Sequence, residues 1–292
     1  MKRMVVLVLA ACGSPPATSH PNATKAPLSS AADERMVTIP EGQYIAGSTP
    51  EERVSAYDDF LATANRDTAR EQTWFATEAD RTMKKLPAFR IDLMPVTQAA
   101  YAEFVGLGLA PAPAMDEATW KAQGFAQDYA TQVARFVWHD NRPPNGREDH
   151  PVVLVAYADA KHYCEWRGGT VGQKRRLPTS DEYEKAARGG DGFTYPWGNA
   201  YEATKLNSAV AGPGDTTPVG QYSDGASPFG VLDLAGNVFA WTSTPAPKEP
   251  GEQTVKGSAW EDYAGVGRGA SGHGRKPTVR HVIVGFRCAS EP

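Results

Sequence analysis

The chain has 292 residues, 41% of them hydrophobic and 22% charged, the balance of a folded protein with a substantial buried core. Its 30 lysines and arginines are outnumbered by 34 aspartates and glutamates, and the densest basic cluster is only Lys174-Arg175-Arg176. Nucleic acid is therefore not an expected partner, since it calls for a basic excess or a long basic stripe.

Lys2 and Arg3 precede the apolar run 4–9, and Ala10-Ala11-Cys12-Gly13-Ser14 follows, the layout of a secretory signal peptide. That run is too short to cross a bilayer as a helix. Leu9-Ala10-Ala11-Cys12 resembles the bacterial lipobox, whose cysteine becomes the lipidated first residue of the mature protein, and Gly13 after it implies no inner-membrane retention. The alternative is a cytoplasmic chain with an apolar start. Residues 13–34 are rich in Pro, Ser, Thr and Ala without apolar periodicity, which predicts a flexible tether. The expected organisation is a signal peptide over 1–12, a tether over 13–34 and one domain over 35–292. The expected location is the bacterial cell envelope, lipid-anchored at the outer membrane through Cys12.

Residues 36–48 predict two short strands around a Pro-Glu-Gly turn, and 50–85 are charged and Ala-rich with spacing for one or two surface helices. Residues 89–93 alternate like a half-buried strand. Thr97 can cap a helix over 98–105 whose apolar face holds Tyr101, Phe104 and Val105. A strand is expected over 151–155 and a helix over 158–167. Thr179, with acidic residues in the following turn, starts another helix that Gly189-Gly190 ends. Beyond it, closely spaced glycine, proline and asparagine predict short strands in long ordered loops. Gly265-Val266-Gly267-Arg268-Gly269-Ala270 has the look of a phosphate loop, but no strand pattern enters it and 271–274 cannot open a helix, so it reads as loop punctuation. His139, Asp140 and His150 lack the helical spacing of a metal site.

Taken in order, Pro95-Val96-Thr97, His150-Pro151-Val152, Tyr163-Cys164-Glu165-Trp166, Arg176-Leu177-Pro178-Thr179 with Glu182-Tyr183-Glu184, Tyr195-Pro196-Trp197-Gly198-Asn199, Asp233-Leu234-Ala235-Gly236-Asn237-Val238, Lys256-Gly257-Ser258-Ala259-Trp260 and Gly285-Phe286-Arg287-Cys288 resemble the formylglycine-generating-enzyme, or sulfatase-modifying-factor, domain. The resemblance runs from Met36 to Ala289, with 49–85 as an insertion. It implies an α+β fold, the formylglycine-generating-enzyme variant of the C-type-lectin-like fold, low in regular secondary structure.

It also implies a structural disulfide between Cys164 and Cys288, against the alternative of two buried free thiols. The family's oxidase binds Cu(I) through a second cysteine pair, and soft thiolates suit that soft ion. Counting from Gly257-Ser258 places the first of that pair at Glu261 and the second near Val266, neither a cysteine, and Cys12 is the only remaining cysteine. Copper is therefore not expected, nor is conversion of cysteine to formylglycine. Calcium is a possible cofactor: Asn207, Ser208 and Asp215 match one family site, and Gly236, Asn237 and Val238 another. Ala240 stands where the second site usually has a glutamate, and the alternative is that hydrogen bonds alone hold both loops. Trp241, Ser258, Trp260, Arg268 and Arg280 are expected to line a ligand groove, with Glu261, Asp262 and His281 as candidates for acid/base chemistry. Arg287 is expected to be a buried structural arginine. The functional expectation is an envelope lipoprotein acting as a binding or scaffolding module for an envelope protein, peptide or glycan. The alternatives are an enzyme of different chemistry on the same fold and a ligand-display protein, although 259–284 lacks the Asn-rich texture of the latter.

Overall fold

A computed structural model describes residues 35–125 and 127–292. The signal peptide, Cys12 and the tether expected over 1–34 lie outside the described residues. β1 (Met36–Ile39) and β2 (Gly42–Ala46) are the expected strand pair. Residues 50–85 form α1 (Pro50–Ala64) and α2 (Thr68–Glu71) as anticipated, and also β3 (Thr82–Leu86), which lies antiparallel to β2. The two lysines in the middle of β3 hid it from the apolar pattern. α1 opens on a reciprocal cap in which the Thr49 hydroxyl accepts from Glu52 N–H and the Glu52 carboxylate accepts from Thr49 N–H.

β4 (Phe89–Asp92) and α3 (Gln98–Gly106) follow, the helix capped by Thr97 and burying Tyr101, Phe104 and Val105. α4 (Glu117–Ala122) precedes α5 (Tyr157–Thr170), β5 (Arg175–Arg176) and α6 (Ser180–Arg188). α6 has the same reciprocal cap through Thr179 and Glu182 and ends at Gly189, whose φ of 67° excludes most side chains. The last strands are β6 (Phe239–Pro245), β7 (Gln253–Lys256), β8 (Gly272–Arg275), β9 (Val284–Gly285) and β10 (Ala289–Ser290). The result is α+β and rich in loops, as expected.

Two four-stranded sheets, ordered β1-β4-β10-β5 and β8-β7-β6-β9, flank the β2-β3 ribbon. The strand expected over 151–155 is extended but joins no sheet; Val152 N–H donates to Val96 C=O, Leu154 N–H to His281 C=O, and Leu154 has a φ of 59°. β8, Gly-His-Gly-Arg, is one of the short strands expected in this region, and no helix opens at 271–274. Arg287 is fully buried, and its guanidinium donates to four carbonyls, those of Asp92, Leu93, Leu232 and Asp233.

Cys164 on α5 and Cys288 beside β10 form the expected disulfide, closing a separation of 124 residues. By chain entropy such a loop contributes about 5 kcal/mol. Replacing both cysteines by alanine is expected to lower the urea-derived unfolding free energy by that order; a change under about 1 kcal/mol contradicts the assignment.

Candidate functional site

Glu261 and Asp262 follow β7 in a turn tied to itself: Asp262 N–H donates to Ala259 C=O, and Ala259 N–H donates back to the Asp262 carboxylate at 2.7 Å. Ala209 N–H fixes the same turn through Asp262 C=O at 2.9 Å. His281 lies after β8, its backbone carbonyl accepting from Leu154 N–H at 3.1 Å. These three residues, distant in two segments, line one cavity of about 950 Å³. His273 and Arg275 of β8 form its wall, and Glu249 and Glu252 approach from the loop after β6. The insertion supplies the facing side through Arg66, Gln72, Thr73 and Trp74, and Phe125 and Phe239 add apolar surface. Val266 lines it as well, so Glu261 and Val266 open on the same cavity.

The electrostatics follow from desolvation. Burial raises the Asp262 carboxyl to about 7, opposed by the Ala259 N–H bond, and burial likewise raises Glu261 against a hydrogen bond from Gln127. Burial lowers both His273 and His281 to about 3, with the Arg275 charge adding to it. His281 is packed against Trp120 and Phe125 at centroid distances of 4.9 and 4.2 Å, and Ile283 N–H donates to its Nδ1. At neutral pH the cavity thus holds a carboxyl group poised near its midpoint beside two neutral imidazoles, a set suited to hydrogen bonding and proton exchange.

None of the five residues expected to form the groove lines this cavity. Trp241 is fully buried, its indole N–H donating to Val155 C=O at 3.0 Å, so its polar edge loses nothing inside. Trp260 is buried and stacks on Phe136. Ser258 is buried with its hydroxyl accepting from Gly236 N–H. Arg268, also buried, forms a two-point ion pair with Glu78 of the insertion at 3.2 and 3.1 Å. Arg280 pairs with Asp159 and donates to Leu154 C=O. The sequence pointed to Glu261, Asp262 and His281 but missed Arg66, Trp74, Glu249, Glu252, His273 and Arg275. The glycines on either side of His273 were the one available signal, a side chain standing clear of its neighbours.

The two calcium sets were tested against the same geometry. Arg147 clasps the Asp215 carboxylate at 2.8 and 2.5 Å, and Arg135 reaches it at 3.4 Å, so guanidinium groups already occupy its charge. Asn207 Oδ1 is a buried acceptor without a partner, but Gly212 packs so tightly over it that an added Cβ would lie 2.2 Å away. Ser208 C=O accepts from Gly212 N–H. At the second set, Asn237 exchanges hydrogen bonds with Thr217 and accepts from Asn207, Gly236 packs against the Asn207 backbone, Val238 is core, and Ala240 is a buried β6 residue. Asn207 Oδ1 is thus the one side-chain oxygen of the two sets left without a hydrogen bond, whereas calcium takes six to eight oxygens including carboxylates. His139 and Asp140 are exposed and His150 bonds to Thr216; among the described residues no group of three or more metal-binding side chains converges.

A second cavity of about 470 Å³ borders the first at His273 and Gly274. Its buried Lys256 is spent on Gly269 C=O, Ala270 C=O and Glu184.

Comparison with known proteins bears on the cavity. A family model described as the sulfatase-modifying factor enzyme 1-like domain matches residues 22–292. The chain is 30% identical over 302 residues to a mouse protein named inactive C-alpha-formylglycine-generating enzyme 2, covering 90% of this chain and 88% of that one. It is 30% identical over 271 residues to the formylglycine-generating enzyme of Mycobacterium tuberculosis, covering 70% and 88%. Among solved structures, PvdO from Pseudomonas aeruginosa superposes with a TM-score of 0.65 at 22% identity, covering 88% of this chain and 94% of that one, a likeness of fold.

The Asp262 shift has a defined consequence for stability. Its folded value of about 7 exceeds the unfolded value of about 3.9, so the folded state retains a proton that the unfolded state has lost between those pH values. Its contribution is complete below pH ~4 and is lost as pH rises to about 7. Urea unfolding of Asp262→Asn is expected to show the variant gaining on the wild type by on the order of 2 kcal/mol from pH 4.5 to pH 8. A difference independent of pH contradicts the desolvated carboxyl.

Proposed function

The chain belongs to the sulfatase-modifying factor enzyme 1-like family, and we propose that within it this protein is a non-oxidase that uses the family's reaction cleft to bind a ligand. The observation that carries this reading is the pair Glu261 and Val266, both lining the cavity at the positions of the copper-binding thiols. A carboxylate and a valine cannot supply two soft sulfur ligands. The two described cysteines, Cys164 and Cys288, are joined to each other and are unavailable as ligands.

The size of the cavity, its aromatic and amide lining and its mixed charge suit a peptide or glycan segment. The signal sequence and Cys12 support an envelope lipoprotein held by a lipid anchor, with residues 13–34 giving the domain reach from the membrane. Among the described residues no helix is long and apolar enough to cross a membrane. A second reading, an enzyme of different chemistry, is favoured by one observation: Asp262, Glu261 and His281 share the cleft, and Asp262 titrates near neutrality.

Incubating the domain with Cu(I) and a peptide bearing a sulfatase-type cysteine motif tests the non-oxidase assignment by mass spectrometry. The peptide mass is expected to stay unchanged. Conversion of the cysteine to the aldehyde would overturn it.

A further inference from the structure

Arg275 is the one charged group felt by all four titratable residues at the cavity floor: Glu261, Asp262, His273 and His281. Yet the guanidinium has no carboxylate partner among the described residues, and it donates from Nη1 to Gly274 C=O. Other arginines of the domain are committed, Arg268, Arg188 and Arg147 to a glutamate or aspartate and Arg287 to four backbone carbonyls. A guanidinium in a cleft wall with most of its donors uncommitted is a group prepared for an acceptor from outside.

His281 supplies the second half. The residue is 3% exposed and sits between Trp120 and Phe125, so the ring cannot turn freely. Ile283 N–H donates to Nδ1, which therefore carries the lone pair, and the ring proton resides on Nε2. Nε2 bonds to no protein atom and is not among the polar atoms sealed off from solvent, so it faces the cleft that His281 lines. A neutral imidazole with its tautomer set by a backbone amide is a fixed hydrogen-bond donor. Burial holds the neighbouring Glu261 and Asp262 toward their neutral forms, and the Glu249 and Glu252 carboxylates, which crowd Gly274 in the same cleft, form no ion pair with Arg275.

We propose that Arg275 and the His281 Nε2–H together form a carboxylate-binding site on the cleft floor, and that the ligand of this protein presents a carboxylate there. The inference rests on the cleft being the binding site and names the chemical group it takes. Trp74, on the facing wall, is placed to cover the rest of such a ligand. The same group can come from a peptide acidic residue or from a uronic acid.

The full-length chain in mild detergent, labelled with ¹⁵N at histidine and tryptophan, is titrated with acetyl-Ala-Glu-Ala-amide and with its glutamine counterpart. Glucuronate and glucose form a parallel pair. An acid is expected to bind and to shift the His281 Nε2–H signal, with its neutral counterpart weaker by roughly 10- to 100-fold, the effect of losing a charge-assisted hydrogen bond. Whichever acid binds identifies the source of the carboxylate. Arg275→Gln is expected to abolish the preference for acid over neutral ligand. His281→Asn, which retains an acceptor for Ile283 N–H but loses the cleft donor, is expected to weaken the acid about tenfold. Equal binding of acid and neutral forms, with cleft signals shifting, overturns the carboxylate site and leaves the cleft reading intact. No shift of any cleft signal up to ~10 mM ligand, a range that reaches millimolar affinities, overturns both.

Discussion

Backbone carbonyls buried in loops need donors that no helix or sheet provides, and in this protein buried cationic side chains provide them. Arg287 serves four carbonyls from two distant segments. Arg188 serves Gly47, Gly192 and Phe193, Lys185 serves Pro40 and Gly42, and Lys256 serves Gly269 and Ala270. Hydrogen bonds to charged groups are worth about 1.5–3 kcal/mol each, and removing one cation orphans several acceptors together. The rest of the structure depends on this constraint, because the strands are short and most of the C-terminal half is irregular. It also sets the cleft: Lys256 ties β7 to the loop before β8, and Arg268 binds Glu78 to bring the insertion across as a wall.

The cleft is where the same physics is left incomplete. Structural charges here have partners; Glu261, Asp262, His273 and His281 are desolvated with few or none, and Arg275 beside them has no ion-pair partner among the described residues. That is why two carboxyls rise and two imidazoles fall, and why the groups are available to a ligand. Glu261 and Val266 both line this cavity, whose side chains offer hydrogen bonding and proton exchange rather than thiol ligands.

Features set by neighbours in sequence were legible. Thr97 and Thr179 cap their helices because the donors they satisfy lie three residues away. Arg287 and the disulfide came from the family pattern. Features set by distant pairing were hidden. Trp241 and Trp260 look like ligand platforms until the core closes around them, and Arg268 looks free until Glu78, 190 residues away, meets it. Asp215 looks like a calcium ligand until Arg147 reaches it from 68 residues upstream. Glu261, Asp262 and His281, named as candidates from the sequence, come together in one cavity, whereas Arg275 and Trp74 were missed because β8 and the insertion carry no motif that announces them.

The central claim is that no thiolate copper site exists at this cleft, and an equilibrium Cu(I) competition against a chromophoric chelator tests it most directly. The account predicts that the reduced-copper form of the chelator keeps its metal in the presence of the domain, with or without Glu261→Gln. Stoichiometric transfer of Cu(I) to the wild-type domain would contradict it.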